Sequence, residues 1–209
     1  MNPYRDPYLP RFVAAVAVVI LALSLFTVLT SQNGLPLGHY DIGIGDHWPA
    51  ADRRLTVVDR TGSAAWHDAI LQAVGTWTAG GSALQFILLT QSGPCRQEHD
   101  HIEFCQQTGA QIQMKGSDGD QGVFIPWVTT HNTYKSAVLL VCSNCNLAAD
   151  RMVVIATHEM GHSLGLAHNV DPFSVMYYAG GLPMPDAFDY QQLRKLEGVS
   201  APITGEESP

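Results

Sequence analysis

The chain has 209 residues, and its 19 acidic side chains outnumber its 11 Lys and Arg side chains, which gives a formal net charge of −8 at pH 7. This acidic balance leaves no electrostatic basis for binding nucleic acid, so that class of partner is excluded. The roughly 150 residues from Trp48 to Gly198 suffice for one domain with its own core. The sequence does not specify an oligomeric state.

The first predicted element is a membrane anchor. Residues 12–30 form a stretch of nineteen residues without a formal charge, which is long enough for one membrane-spanning helix. Arg5 and Arg11 precede it, and no Lys or Arg follows before Arg53. Positive charge is retained on the cytoplasmic side, so we expect residues 1–11 inside the cell and the remainder outside.

Two alternatives exist for this segment. A cleaved signal peptide usually has a shorter apolar region and ends in small residues, a pattern that residues 27–32 fit poorly. A buried core helix is disfavoured by the position at the extreme N-terminus. We therefore predict an uncleaved anchor over residues 12–30 and a linker over residues 31–47, with secretion after cleavage as the alternative.

The folded region is predicted to begin with a short strand at residues 55–58 and an amphipathic helix. Ser63 offers an N-cap, and apolar residues then recur at three- and four-residue steps from Trp66 to Trp77. Further strands are predicted at residues 84–90, 111–114, 123–128 and 137–142. The proline at position 126 indicates that the strand over residues 123–128 lies at an edge of the sheet.

Two more helices are predicted towards the C-terminus. One starts near Ala149, and its apolar run over residues 152–156 indicates that it is buried. The other covers residues 185–196, with Asp186 as its cap and an apolar face formed by Phe188, Leu193 and Leu196. The polar residues 199–209 are predicted to be a disordered tail, which leaves a domain over residues 48–198.

All four cysteines lie beyond the hydrophobic segment. An even number of cysteines in an exported domain predicts disulfides. Three pairings are open, and the simplest joins neighbours, Cys95 with Cys105 and Cys142 with Cys145. The C-x-x-C spacing also suits redox chemistry or zinc binding, but no βαβ context is evident and no second close pair supplies further ligands.

Residues 158–168 read H-E-x-x-H-x-x-G-x-x-H. His158 and His162 are four residues apart and therefore share one face of a helix. Gly165 can adopt the left-handed conformation that ends a helix, so the chain can turn back and bring His168 in as a third ligand. Three imidazoles leave one position of a tetrahedral zinc open, as catalytic sites require.

Glu159 lies one step round the same helix, within reach of a metal-bound water, and is predicted to be the general base of a zinc-dependent endopeptidase. Two other interpretations are weaker. A core helix with surface histidines does not account for the fixed offsets of the glycine and the third histidine. Residues 161–165 also fit the G-x-S-x-G elbow of α/β-hydrolases, but that fold needs a later histidine and none follows His168.

Downstream, Ser174-Val175-Met176-Tyr177 is similar to a Met-turn. With the histidine motif it resembles the metzincin zinc metalloproteases, and within them a matrixin-like (matrix-metalloprotease-type) catalytic domain. The resemblance implies an α+β fold in which a twisted mixed β-sheet packs on two long helices, followed by a small C-terminal subdomain. It also implies one catalytic Zn²⁺ held by three histidines, a hydrophobic floor formed by Met176, and protein or peptide substrates.

The chain departs from the matrixin pattern at two positions. Asn169 stands where matrixins usually have Ser, and Tyr178 stands where they usually have Pro. Astacins and serralysins place a tyrosine two residues after the Met-turn methionine, so we predict that Tyr178 donates a hydrogen bond to the oxyanion. No H-x-D motif supports a second zinc, and the Asp-Gly steps at residues 118–122 favour a turn over a Ca²⁺ site.

One function from a different class remains as the alternative, namely a membrane-tethered binding module whose zinc is not catalytic. The sequence contains every element of the catalytic motif, and we therefore favour the enzyme.

Overall fold

The computed structural model describes residues 46–49, 53–80, 82–115, 121–129, 133–179 and 181–198, all within a compact unit that spans Tyr40–Pro209. The predicted anchor, nearly all of the linker, the tail and residues 118–120 lie outside the described residues. Within these ranges no helix is both long enough and apolar enough to cross a membrane.

Five strands form one mixed sheet in the order β2-β1-β3-β5-β4. The strands are β1 (Arg54–Asp59), β2 (Gln85–Thr90), β3 (His101–Gln107), β4 (Gly122–Val128) and β5 (Tyr134–Cys142). The first four in spatial order are parallel, whereas β4 runs antiparallel to β5 at the edge of the sheet. Pro126 lies in β4, and an edge strand tolerates its missing N–H because only one side of the strand is paired. The edge prediction is confirmed.

In the part of the chain that the structure describes, four helices accompany the sheet: α1 (Ala64–Ala79), α2 (Gly109–Gln113), α3 (Ala149–Ser163) and α4 (Ala187–Leu196). Ser63 caps α1 by accepting a hydrogen bond from the backbone N–H of Trp66. Alternate residues of β1, β3 and β5 point into one core that also contains the buried faces of α1 and α3. The predicted α+β class, with a mixed sheet on two long helices, is therefore confirmed.

The predicted strand at residues 111–114 is wrong, because residues 109–113 form α2. Thr108 accepts from the backbone N–H of Gln111, and the Gln111 side chain accepts from the backbone N–H of Thr108 at 3.0 Å. This capping box is visible in the sequence as T-x-x-Q and outweighs the alternation of polar and apolar residues over 111–114. The strand prediction also missed β3, although Ile102 and Phe104 alternate there with polar residues. The polar residue between them, Glu103, is buried and paired with Arg60.

The predicted inward face of the last helix is correct only in part. Leu193 is buried, but Phe188 is 53% exposed. Tyr190 takes the inward place instead, with its ring centroid 5.8 Å from that of Trp77. Tyr190, Leu193 and Leu196 recur every three residues and share one face, whereas Phe188 is two positions before Tyr190 and points away.

The neighbouring cysteines are paired as the simplest scheme predicts. Cys95 bonds to Cys105 and Cys142 to Cys145, with Cα–Cα separations of 6.1 and 5.8 Å, both normal for disulfides. The second bridge lies in the connection from β5 to α3. It therefore ties the chain to the sheet shortly before the helix that carries the histidine motif.

Candidate active site

The end of α3 brings the three histidines of the motif together. His158 and His162 lie on one face of the helix, and the helix ends just before Gly165, whose φ is +96°. A side chain at Gly165 would also overlap the backbone oxygen of Asp46. Glycine is therefore required there both for the conformation and for the space, and the turn delivers His168 to the other two histidines.

The three ring nitrogens are spaced as a zinc site needs. His162 Nε2 lies 3.0 Å from His158 Nε2 and 3.2 Å from His168 Nε2. Ligands about 2.0–2.1 Å from a tetrahedral zinc are about 3.3 Å apart, which is close to these separations. Without a cation the converging lone pairs would repel one another, so the residues fit zinc.

In two of these rings, the hydrogen bond made by Nδ1 determines that Nε2 is the nitrogen facing the site. His158 Nδ1 lies 2.6 Å from the carbonyl oxygen of Val175, and His162 Nδ1 lies 2.8 Å from that of Leu166. A carbonyl only accepts, so each Nδ1 carries the proton and donates it. Each Nε2 then carries the lone pair with which a histidine binds a metal, which is the usual arrangement around histidine ligands.

The carboxylate of Glu159 faces the first residue of the edge strand β4. Glu159 is only 7% exposed, and the position of an ideal Cβ on Gly122 lies 2.7 Å from Glu159 Oε1. Glu159 directly follows the first histidine of the motif. The carboxylate therefore lies between α3, the helix that carries the first two histidines, and the antiparallel edge strand β4.

Met176 lies beneath the turn of α3 that carries the histidines. It is fully buried, and its sulfur packs so closely on Gly161 that a Cβ on that glycine would overlap it. The backbone N–H of Met176 donates to Ser174 Oγ at 2.8 Å, and its carbonyl accepts from the backbone N–H of Asn169, also at 2.8 Å. These bonds hold the methionine against the helix.

A polar network, which the sequence reasoning missed, connects this region to α4. Asn169 Nδ2 donates to Asp186 Oδ2 at 3.0 Å and to Asp189 Oδ1 at 2.9 Å, and Ser174 Oγ donates to Asp189 Oδ2. Asp189 is only 3% exposed. The available signal was Asn169 itself, the departure from the matrixin pattern next to the third histidine. The network fixes the segment after His168 to the start of α4.

Tyr178 lies at the surface near the Met-turn and is 47% exposed. Its ring centroid is 4.6 Å from that of Tyr177, and the two hydroxyls are 3.5 Å apart. This hydrogen bond raises the pKa of the Tyr177 hydroxyl above its ordinary value.

A second group of potential metal ligands consists of Glu98, which precedes β3, and of His101 and Glu103 within β3. Arg60 Nε donates to Glu103 Oε2 at 2.9 Å, and Arg60 Nη2 donates to its other oxygen at 3.3 Å. The guanidinium therefore already neutralises the carboxylate that a cation would need. This group gives no support to a second metal ion.

Comparisons with known proteins agree with the motif. Residues 55–192 match the family described as Matrixin. The chain is 43% identical to matrilysin of Felis catus over 51 residues, which is 22% of this chain and 20% of that protein. The chain thus spans about a fifth of the length of that relative.

Two solved structures show weak similarity of fold. Myroilysin gives a TM-score of 0.48 at 14% identity over 75% of this chain and 97% of that one. Archaemetzincin of Methanopyrus kandleri gives 0.45 at 14% identity over 74% of this chain and 97% of that one.

Proposed function

Because the chain belongs to the matrixin family of zinc metalloproteases, we propose that His158, His162 and His168 hold its catalytic zinc and that Glu159 is its general base. The supporting observation is the convergence of the three Nε2 atoms at 3.0 and 3.2 Å, with the nearly buried Glu159 as the residue that follows His158. The substrates are proteins or peptides, as they are for the family. Membership in a peptidase family favours this enzyme over a non-catalytic binding module.

Glu159, Met176 and Tyr178 have different roles in the proposed peptide hydrolysis. Zinc, when bound, supplies Lewis acidity that polarises the scissile carbonyl and makes water acidic near pH 7. Glu159 accepts the proton of the attacking water and then passes it to the amine as the C–N bond breaks. Met176 supports the histidines from below, and Tyr178 donates a hydrogen bond to the developing oxyanion.

We expect the purified full-length protein to hydrolyse a generic unfolded protein, and we expect a zinc chelator to stop that hydrolysis. Three neutral imidazoles without their ion leave Glu159 with no activated water to deprotonate. Re-addition of one equivalent of zinc should restore the rate, while zinc-saturated chelator serves as the control. Hydrolysis that continues in the metal-free protein would contradict the proposal, and a binding module would show no hydrolysis at all.

We further propose that residues 12–30 anchor the enzyme, with residues 1–11 inside the cell, a linker over 31–47, the peptidase domain over 48–198 and a tail over 199–209. Three observations support an outside location for the domain. Basic residues flank the uncharged segment only on its N-terminal side. Two disulfides are typical of exported domains. Matrixins are typically secreted or extracellular.

This topology predicts that protease added to intact cells digests the peptidase domain and spares residues 1–11. Immunoblotting with one tag at each end measures both outcomes, and permeabilised cells provide the control in which both tags are lost. A soluble exported form that begins near Ser31 would show instead that the segment is a cleaved signal peptide, which leaves the catalytic proposal intact.

For Tyr178→Phe we expect a lower kcat with little change in KM, because the hydroxyl acts chiefly in the transition state. A single dominant oxyanion donor contributes about 2–4 kcal/mol, and we expect less here since a bound zinc would supply part of the same stabilisation. Tyr177→Phe is the matched control, because it removes the neighbouring hydroxyl. An unchanged kcat in Tyr178→Phe would show that this tyrosine only packs beside the site.

A further inference from the structure

Gly122, the first residue of β4, lies directly against the catalytic glutamate. An ideal Cβ on Gly122 would lie 2.7 Å from Glu159 Oε1 and 2.8 Å from Glu159 Cγ. It would also lie 2.8 Å from Ile155 Cγ2. Ile155 and Glu159 are four residues apart on α3 and share a face, so all three contacts come from the same side of one helix.

Backbone conformation does not explain this glycine. Gly62, Gly93, Gly165 and Gly198 have a positive φ, and Gly122 does not. Gly122 pairs regularly with Val141 of the neighbouring strand. An alanine would therefore fit the backbone, and the reason for glycine is the space that its missing side chain leaves.

We propose that Gly122 is a positioning residue for the general base: its missing Cβ provides the space in which the Glu159 carboxylate is held between the edge strand and the triad helix. This inference rests on the proposed role of Glu159. A methyl group at position 122 has no room beside Glu159 Cγ and Oε1, so the glutamate side chain must rotate or α3 must move away from the sheet. Either response displaces the carboxylate.

A displaced base affects the chemical step more than it affects binding. Proton transfer requires the carboxylate within about 2.6–3.2 Å of the water it deprotonates. A misplacement of about 1 Å can reduce the rate about 10²-fold. The atoms nearest to a Cβ at Gly122 belong to Glu159 and Ile155, and the Nδ1 atoms of His158 and His162 are held by backbone carbonyls. Zinc binding should therefore survive the substitution.

The first experiment compares the full-length Gly122→Ala protein with wild type. We expect kcat to fall about 10- to 100-fold, with KM within about twofold and close to one zinc per chain. Gly75→Ala is the matched control, because a Cβ at Gly75 meets no atom within 4 Å, and its kcat should equal that of wild type. A wild-type kcat in Gly122→Ala, or a change confined to KM or zinc content, would overturn the proposal.

The second experiment separates Glu159 from its neighbour on the helix. Ile155→Ala added to Gly122→Ala relieves only the contact with Ile155, so kcat should stay low. Recovery of kcat in this double variant would show that the glycine serves helix packing instead. If Glu159→Gln itself remains active, the proposed general base is wrong, and that result is distinct from any outcome at position 122.

The third experiment measures thermal stability and does not depend on enzymatic activity. Glu159→Ala removes two of the three overlapping atoms, so Gly122→Ala should lower Tm by about 4 °C in the wild-type background and by less than half of that in the Glu159→Ala background. Equal losses in both backgrounds would overturn the proposal. If Gly122→Ala does not fold alone, the added Glu159→Ala substitution should restore the fold, and failure to restore it would contradict the inference.

Discussion

Replacement of Glu159 by glutamine should abolish peptide hydrolysis while the protein keeps its zinc. Glutamine has nearly the same size and shape, but its amide cannot accept the proton of the attacking water, and loss of a general base lowers the rate about 10²–10⁴-fold. The ligand nitrogens are untouched, and two of the rings keep their Nδ1 bonds to backbone carbonyls. We therefore expect close to one zinc per chain, measured by elemental analysis, together with background hydrolysis.

The matched control is Glu98→Gln, which removes a carboxylate on the surface whose side chain is 43% exposed. Glu98 lies 3.4 Å from His101 Nδ1 and 3.5 Å from Arg96 Nη1, and pairs of this kind at the surface contribute little to stability. Activity and zinc content should match those of wild type. If Glu159→Gln keeps its zinc and wild-type activity, the assignment of the base is wrong. If the variant loses its zinc, the expectation that zinc binding does not depend on Glu159 is wrong, and the variant then says nothing about proton transfer.

Removal of the Asp189 carboxylate should destabilise the protein strongly and weaken zinc binding. In Asp189→Ala three donors lose their buried acceptor: Asn169 Nδ2, Ser174 Oγ and the backbone N–H of Asp186. Unsatisfied buried groups cost about 1–3 kcal/mol each, so we expect a loss of about 3 kcal/mol or more in the free energy of unfolding. For a domain of this size that corresponds to a fall in Tm of about 6–12 °C.

The effect on zinc follows from the bonds that continue the network. Ser174 Oγ also accepts from the backbone N–H of Met176, and Asn169 follows the third histidine directly. Loss of outer contacts of this kind typically lowers metal affinity about 10- to 100-fold, measurable by competition with a chelator. Asp68→Ala, an exposed aspartate of α1, is the control that should change neither Tm nor zinc affinity. An Asp189→Ala protein with wild-type Tm would show that α4 does not hold the site.

The histidine triad could be predicted because its geometry is local. Residues 158–168 lie within eleven positions of one helix and one turn, so helical periodicity and one left-handed glycine nearly determine where the side chains point. The same is true of the disulfide pairs, each of which closes a short loop of ten or three residues in sequence separation. The helix over residues 109–113 also has a local signal, the capping box of Thr108 and Gln111, which the strand prediction for residues 111–114 left out.

Only the tertiary structure decided what surrounds the site. Gly122 meets Glu159 across 37 positions of sequence and Asp189 meets Asn169 across 20, and no periodicity reports a contact between separate elements. The order of the strands placed β4 at the edge beside α3, and a buried ion pair placed polar Glu103 inside a strand. The sequence by itself thus determined the convergence of the three histidines, since it follows from the geometry of one helix and the turn that ends it. The packing that surrounds Glu159 and fixes the segment after His168 depends on which distant surfaces meet, and that is a property of the folded core as a whole.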